Sequence, residues 1–169
     1  MGGDHMMVVL RCYPISSVKV IMKKILFLLT LLSILTACGD KPYNERANPK
    51  EDIAVAVTAA KAQNVPVVLV FGANWCPDCR GLSALIEKSP TAAKFAQDFK
   101  IVKINVGNFD TNLDITKQYG NPIGIGIPGA AFLASDGTLL NVARAEDLSK
   151  AQRHGDAAVY DFFKKMTQQ

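Results

Sequence analysis

The chain has 169 residues, 49% hydrophobic and 20% charged, with 12 Gly, 8 Pro, 4 Cys and 2 His. This composition suits one globular domain with some tail, and it excludes a disordered chain, a collagen-like repeat, a metal-finger array and a dense disulfide scaffold. The formal charge is +4, but Arg11, Lys19, Lys23 and Lys24 all lie ahead of residue 38, with only Asp4 to offset them.

Lys23 and Lys24 stand directly before an uncharged run, ILFLLTLLSILTA, at residues 25–37. A basic pair followed by a short apolar run is the pattern of a secretory signal peptide. The run falls short of the roughly 20 residues that a membrane-spanning helix needs. It ends in Leu35-Thr36-Ala37-Cys38, which resembles the bacterial lipobox. That resemblance implies that Cys38 is lipidated and becomes the first mature residue, anchoring the protein to a membrane of the bacterial cell envelope with its domain facing the periplasm. Residues 1–21 fit no signal peptide, since Asp4 and Pro14 precede the basic pair, and Met22 is the expected start. Cys12 then has no role. The expected organisation is an upstream extension at 1–21, a lipoprotein signal peptide at 22–37, a lipidated tether at 38–48 and a folded domain at 49–169. The mature chain keeps 15 basic and 14 acidic residues, a net +1, so no nucleic-acid partner is expected. Outside the cytoplasm disulfides persist, and with Cys38 lipidated, Cys76 and Cys79 have only each other.

Residues 39–48 are polar with one Pro and read as a flexible tether. Asn48-Pro49 opens a helix, Asn as cap and Pro in the first turn, with Ile53, Val57 and Ala60 at helical spacing. Residues 66–71, PVVLVF, form the continuous apolar run of a strand buried on both faces. After GANWCPDC comes a helix with Leu82, Leu85 and Ile86 on one side. Ser89-Pro90 starts a second helical piece carrying Phe95 and Phe99 four residues apart. Residues 100–106 alternate as a strand, and 111–119 form a short helix with Asp110 as its expected cap. NPIGIGIP is a loop. Residues 129–134 and 138–142 flank Ser135-Asp136-Gly137 as a hairpin. From Asp147 to the end a helix is expected, with Ala158, Phe162 and Met166 at four-residue spacing. The order helix, strand, helix, strand, helix, strand, strand, helix predicts an α/β three-layer sandwich with a central mixed sheet, and about 120 residues bury an adequate core.

The chemistry lies in Trp75-Cys76-Pro77-Asp78-Cys79, between the buried strand and its following helix. Together with the strand KIVKINV, Ile127-Pro128 and the hairpin FLASDGTLL, this stretch resembles the thioredoxin superfamily, over roughly residues 50–168. The resemblance implies a thioredoxin-like sandwich and thiol–disulfide exchange. Two residues between cysteines on a first helical turn bring their sulfurs within bonding distance. The first thiol then sits at the helix N-terminus, where the dipole and free amides favour the thiolate. Cys76 is thus the attacking thiol and Cys79 the resolving one. Pro77 suits an early helical position. The Asp78 carboxylate opposes a nearby thiolate and points to a more reducing site. A zinc site is not expected, for want of a second ligand pair; the cofactor is the Cys76–Cys79 disulfide itself.

By the same resemblance, Pro128 matches the family's cis-proline facing the dithiol, and Trp75 forms a flat wall beside it. One position departs. The family's buried acid, five residues before the Trp, is Val70 here, whereas Lys103 matches the family's buried lysine. The proton of Cys79 must then use water, Lys103 or another acid. Residues 107–126 exceed a minimal member of the family, and GNFD and NPIGIG are expected as loops near the active-site face. His154 reads as a surface residue. The leading expectation is a reductant of disulfides in extracytoplasmic proteins, re-reduced by an upstream thiol donor. A copper carrier using the two thiolates, or a non-catalytic binding module on the same fold, are the alternatives; no His or Met between residues 65 and 90 supports the first, and the intact cysteine pair opposes the second.

Overall fold

The computed structural model describes residues 41–168. The signal segment, Cys12 and Cys38 lie outside them. The elements are α1 (Pro49–Gln63), β1 (Val67–Gly72), α2 (Pro77–Lys88), α3 (Ala92–Asp98), β2 (Lys100–Asn105), α4 (Leu113–Gln118), β3 (Gly129–Leu133), β4 (Leu139–Ala143), α5 (Ala145–Gln152) and α6 (Asp156–Met166). The strands form one mixed sheet in the order β2-β1-β3-β4. β1 pairs parallel with β2 and antiparallel with β3, placing Val70 between Lys103 and Ala130.

Every residue of β1 is buried, because helices cover both faces of the sheet. Val67, Leu69 and Phe71 point to a layer with Ile53 and Ala60 of α1 and Ile115 of α4. Val68 and Val70 point to the opposite layer, with Leu82 and Ile86 of α2, Phe95 of α3, Leu148 of α5, and Val159 and Phe163 of α6. That second layer is aromatic: Phe95 meets Tyr160 and Phe163 edge to face at 5.4 and 5.5 Å, and Phe132 meets Phe163 at 5.2 Å. Each such pair contributes about 0.5–1.5 kcal/mol beyond its area burial. This is the expected three-layer α/β sandwich.

Four local expectations change. The C-terminal helix is two helices, broken at Arg153–Gly155, where Gly155 takes φ +89. Periodicity could not show the break, since both pieces bury apolar residues on the same layer. α4 starts at Leu113 behind Asn112 in the left-handed region. Asp110 does not cap it, because its carboxylate accepts from the Asn108 amide and the Thr111 hydroxyl instead. Asn48 stands at the N-cap of α1, but its side chain makes no capping bond. The largest change concerns residues 41–48, which carry no helix or strand yet are not a free tether. Tyr43 is only 1% exposed, so the folded domain reaches out to this residue at least. His154 is exposed, as expected.

Candidate functional site

The buried strand β1 delivers the chain through Gly72 to the turn Ala73–Trp75, and α2 starts at once. Cys76 is the N-cap of α2, in extended backbone at φ −78, and Pro77 opens the first turn. The Cys79 amide donates to Cys76 Sγ at 3.2 Å. An orphan amide of the helix start therefore points at this sulfur, the arrangement that favours a thiolate there. Cys76 and Cys79 are joined in a disulfide with Cα atoms 5.3 Å apart. Cys76 is 4% exposed and Cys79 fully buried. Cleavage of this bond releases one sulfur at the rim and one enclosed behind it.

The Ile127–Pro128 bond is cis, and the Ile127 carbonyl oxygen lies 3.8 Å from Cys76 Sγ. β3 follows directly and pairs with β1, which brings Pro128 and the cysteine turn to the same end of the sheet. Trp75 stands 53% exposed beside the pair. Its indole N–H donates to the Gly107 carbonyl at 2.9 Å, and its ring lies 6.3 Å from that of Phe109. The loop at 107–112 thus reaches the active-site rim, as expected of the first insertion. Phe109 holds φ +65, an uncommon backbone for a bulky residue. The exposed rings of Trp75 and Phe109 leave an apolar rim beside the sulfurs.

Asp78 is exposed on the first turn of α2 and shares an open hollow with Ser149, Gln152 and Arg153. Lys103 is not deeply buried; 21% of its side chain is exposed, and its ammonium pairs with Glu87 of α2. The partner of this lysine comes from α2 rather than from Val70, its neighbour across the ladder.

Three groups beside the dithiol were not singled out from the sequence. Tyr43 packs into one buried cluster with Cys76 and Cys79, against Ile127. Asn74 clamps it there: Asn74 Oδ1 accepts from the Tyr43 amide at 3.0 Å, and Asn74 Nδ2 donates to the Tyr43 carbonyl at 2.8 Å and to Glu45 at 2.9 Å. Ser83, on α2, is 3% exposed. The sequence signal for Tyr43 is Gly72. A glycine ending a strand of large residues marks a close approach, and a Cβ there would overlap the Tyr43 ring, 2.5 Å from its Cζ. The signal for Ser83 is its position four residues after Cys79, one helical turn on and on the same face.

Among the described residues no helix is long and apolar enough to cross a membrane. A family profile described as thioredoxin-like matches residues 48–135. The crystal structure of a disulphide isomerase from Xylella fastidiosa Temecula1 is 40% identical, with a TM-score of 0.69, over 75% of this chain and 97% of that one. Thioredoxin 1 of Synechococcus elongatus is 31% identical over 74 residues, 40% of this chain and 64% of that protein. A thioredoxin of Pyropia yezoensis is 37% identical over 57 residues, 34% of this chain and 49% of that protein. The chain thus spans less than two thirds of these two curated relatives. With the sheet order, the Cys-x-x-Cys pair at a helix start and the matched span in agreement, the chain belongs to the thioredoxin-like family and carries a cysteine pair of the thiol–disulfide oxidoreductase type.

Proposed function

We propose that this protein reduces disulfides of extracytoplasmic proteins, held to the bacterial cell envelope by a lipid on Cys38 with its domain facing the periplasm. The observation that carries the exchange chemistry is Cys76 Sγ at the N-terminus of α2, accepting the Cys79 amide and facing the Ile127 backbone. The Cys76 thiolate attacks a substrate disulfide and expels one substrate thiolate. Cys79 then attacks Cys76 Sγ, expels the second, and leaves the Cys76–Cys79 disulfide. A dithiol donor restores the reduced pair. The apolar rim of Trp75 and Phe109 suits an extended substrate segment with apolar residues beside its cysteine. The reductive direction is supported by Asp78, whose exposed carboxylate stands on the turn between the sulfurs and disfavours a thiolate. The envelope location is supported by the basic pair, apolar run and lipobox of residues 23–38.

The test of the chemistry is turbidimetric reduction of insulin with dithiothreitol as donor. The parent accelerates it, Cys76→Ser abolishes the acceleration, and Cys79→Ser accumulates a mixed disulfide with the substrate, visible by mass. No acceleration by the parent would refute the reading. For the anchor, Cys38→Ser moves the protein from the membrane fraction to the soluble one; retention with membranes would refute lipid attachment at that residue.

A further inference from the structure

Resolution by Cys79 requires that its thiol lose a proton, and this side chain is fully buried. Val70, flanked by Lys103 and Ala130 across the ladders, supplies no acid. Among the described residues, three buried side-chain polar atoms lack a hydrogen-bond partner: the Tyr43 hydroxyl, the Ser83 hydroxyl and the Gln152 amide nitrogen. The first two lie next to Cys79. Tyr43 shares its buried cluster, and Ser83 follows it by four residues on α2. Glu87 follows Ser83 by four more, so Cys79, Ser83 and Glu87 form one stripe along the helix, each about 6 Å from the next. The stripe begins at a sealed sulfur and ends at a carboxylate 45% exposed and paired with Lys103.

We propose that the Tyr43 and Ser83 hydroxyls, unpartnered while Cys79 is held in the disulfide, hydrogen-bond its thiol once it is free and relay its proton to the Glu87 carboxylate and so to solvent. The inference rests on the dithiol reading above and assigns the acid that Val70 does not provide. In the resolving step the Cys79 S–H bond breaks as its sulfur attacks Cys76 Sγ. The Cys76–substrate S–S bond breaks, and the substrate sulfur leaves with the electron pair and takes a proton from water. The Cys79 proton passes to a hydroxyl, whose own proton moves on towards Glu87. When a dithiol donor reduces the pair again, the released Cys79 thiolate recovers a proton along the same line. A hydroxyl is both donor and acceptor, so it passes a proton without holding a charge in the core. Burial, above all, pushes the Tyr43 phenol up; Ser83 acts against that rise and the Glu87 charge adds to it. Tyr43 therefore stays neutral and serves as a conduit. Other charged groups near the line are Lys103 of β2, which pairs with Glu87, Glu45, which accepts from the Asn74 amide that holds Tyr43, and Arg80 of α2, turned away to the Asn74 carbonyl at 2.7 Å.

The test uses the full chain with Cys12→Ser and Cys38→Ser, reduced and mixed with 5,5′-dithiobis(2-nitrobenzoate) in a stopped-flow instrument. Attack by Cys76 releases the first thionitrobenzoate, and resolution by Cys79 releases the second. At pH 7, Glu87→Gln, Ser83→Ala and Tyr43→Phe are expected to leave the first phase unchanged and to slow the second, Glu87→Gln by about 100-fold, the low end for a positioned proton transfer. The slowing fades as pH rises and hydroxide takes the proton directly, and Glu87→Asp restores most of the rate. A second phase unchanged in all three variants, or slowed equally at every pH, would overturn the relay. A parent that shows no second phase would instead overturn the dithiol reading beneath it.

Discussion

Cys76 stands where three backbone features meet: the end of a buried strand, the first turn of a helix and the carbonyl that precedes Pro128. The sulfur accepts the Cys79 amide at 3.2 Å, so a negative charge on it is solvated by the helix start rather than by water. Asp78 works against this from the same turn. Because it is exposed and shares its hollow with Arg153, solvent and the guanidinium weaken its field. Asp78→Asn is expected to stabilise the thiolate, hence the reduced form, and to raise the reduction potential. With about 30 mV per 1.4 kcal/mol for a two-electron couple, the rise is tens of millivolts at most. Equilibration against glutathione or dithiothreitol measures it, and a fall in potential would show that Asp78 acts by moving protons. The motif residues were legible because their spacing alone puts them on one turn. Lys103 shows the limit: its position on a strand could be read, but its pairing with Glu87 depends on which helix packs over β2.

At the scale of elements, the stretch before α1 and the end of β1 depend on each other. Residues 41–48 are polar and have no periodicity, so they read as a tether. Gly72 leaves a slot that the Tyr43 ring fills, and Asn74 holds the Tyr43 backbone from both sides. Gly72→Ala is therefore expected to expel or shift Tyr43 and to destabilise the domain by about 1–3 kcal/mol, the usual cost of overpacking. Chemical denaturation would show it as a lower midpoint with the slope kept. A midpoint equal to the parent's would mean that the ring moves aside freely. The break between α5 and α6 has the same lesson. Ala158, Phe162 and Met166 keep helical spacing, but Gly155 at φ +89 turns the chain so that both short helices cover the aromatic layer.

For the whole molecule, stability at alkaline pH follows from the tyrosines. The Tyr160 hydroxyl donates to Asp98, and this bond, chiefly, with burial and the Asp98 and Asp161 charges, raises its pKa to about 12. The ordinary value is 10.0, so the folded state holds this proton more tightly than the unfolded one. That stabilisation is complete below pH 10 and is lost as pH rises to about 12. Tyr43 is shifted in the same direction. Stability of the parent is expected to fall between pH 10 and 12, and Tyr160→Phe to fall less steeply there, leaving Tyr43 as the remaining slope. Denaturation midpoints across this range check it; equal slopes in parent and variant would sink the assignment.

The strand β1, the helix that follows it, the hairpin β3–β4 and the cysteine pair were determined by sequence alone. Each rests on local physics: a run of buried apolar residues, a helical period, an Asp-Gly turn, two thiols on one turn. Trp75 and Pro128 were read beside the sulfurs from the motif and the resemblance, whereas the other contacts around the site were decided only by tertiary structure. Tyr43 lies 36 positions from Cys79 in sequence and reaches it through a slot left by a missing side chain. Glu87 meets Lys103 because parallel pairing of β1 with β2 sets the register under α2. Phe109 meets Trp75 because the Gly107 carbonyl accepts the indole N–H. Such contacts join residues with no shared period, so no local pattern announces them; they form when the layers of the sandwich close on one another.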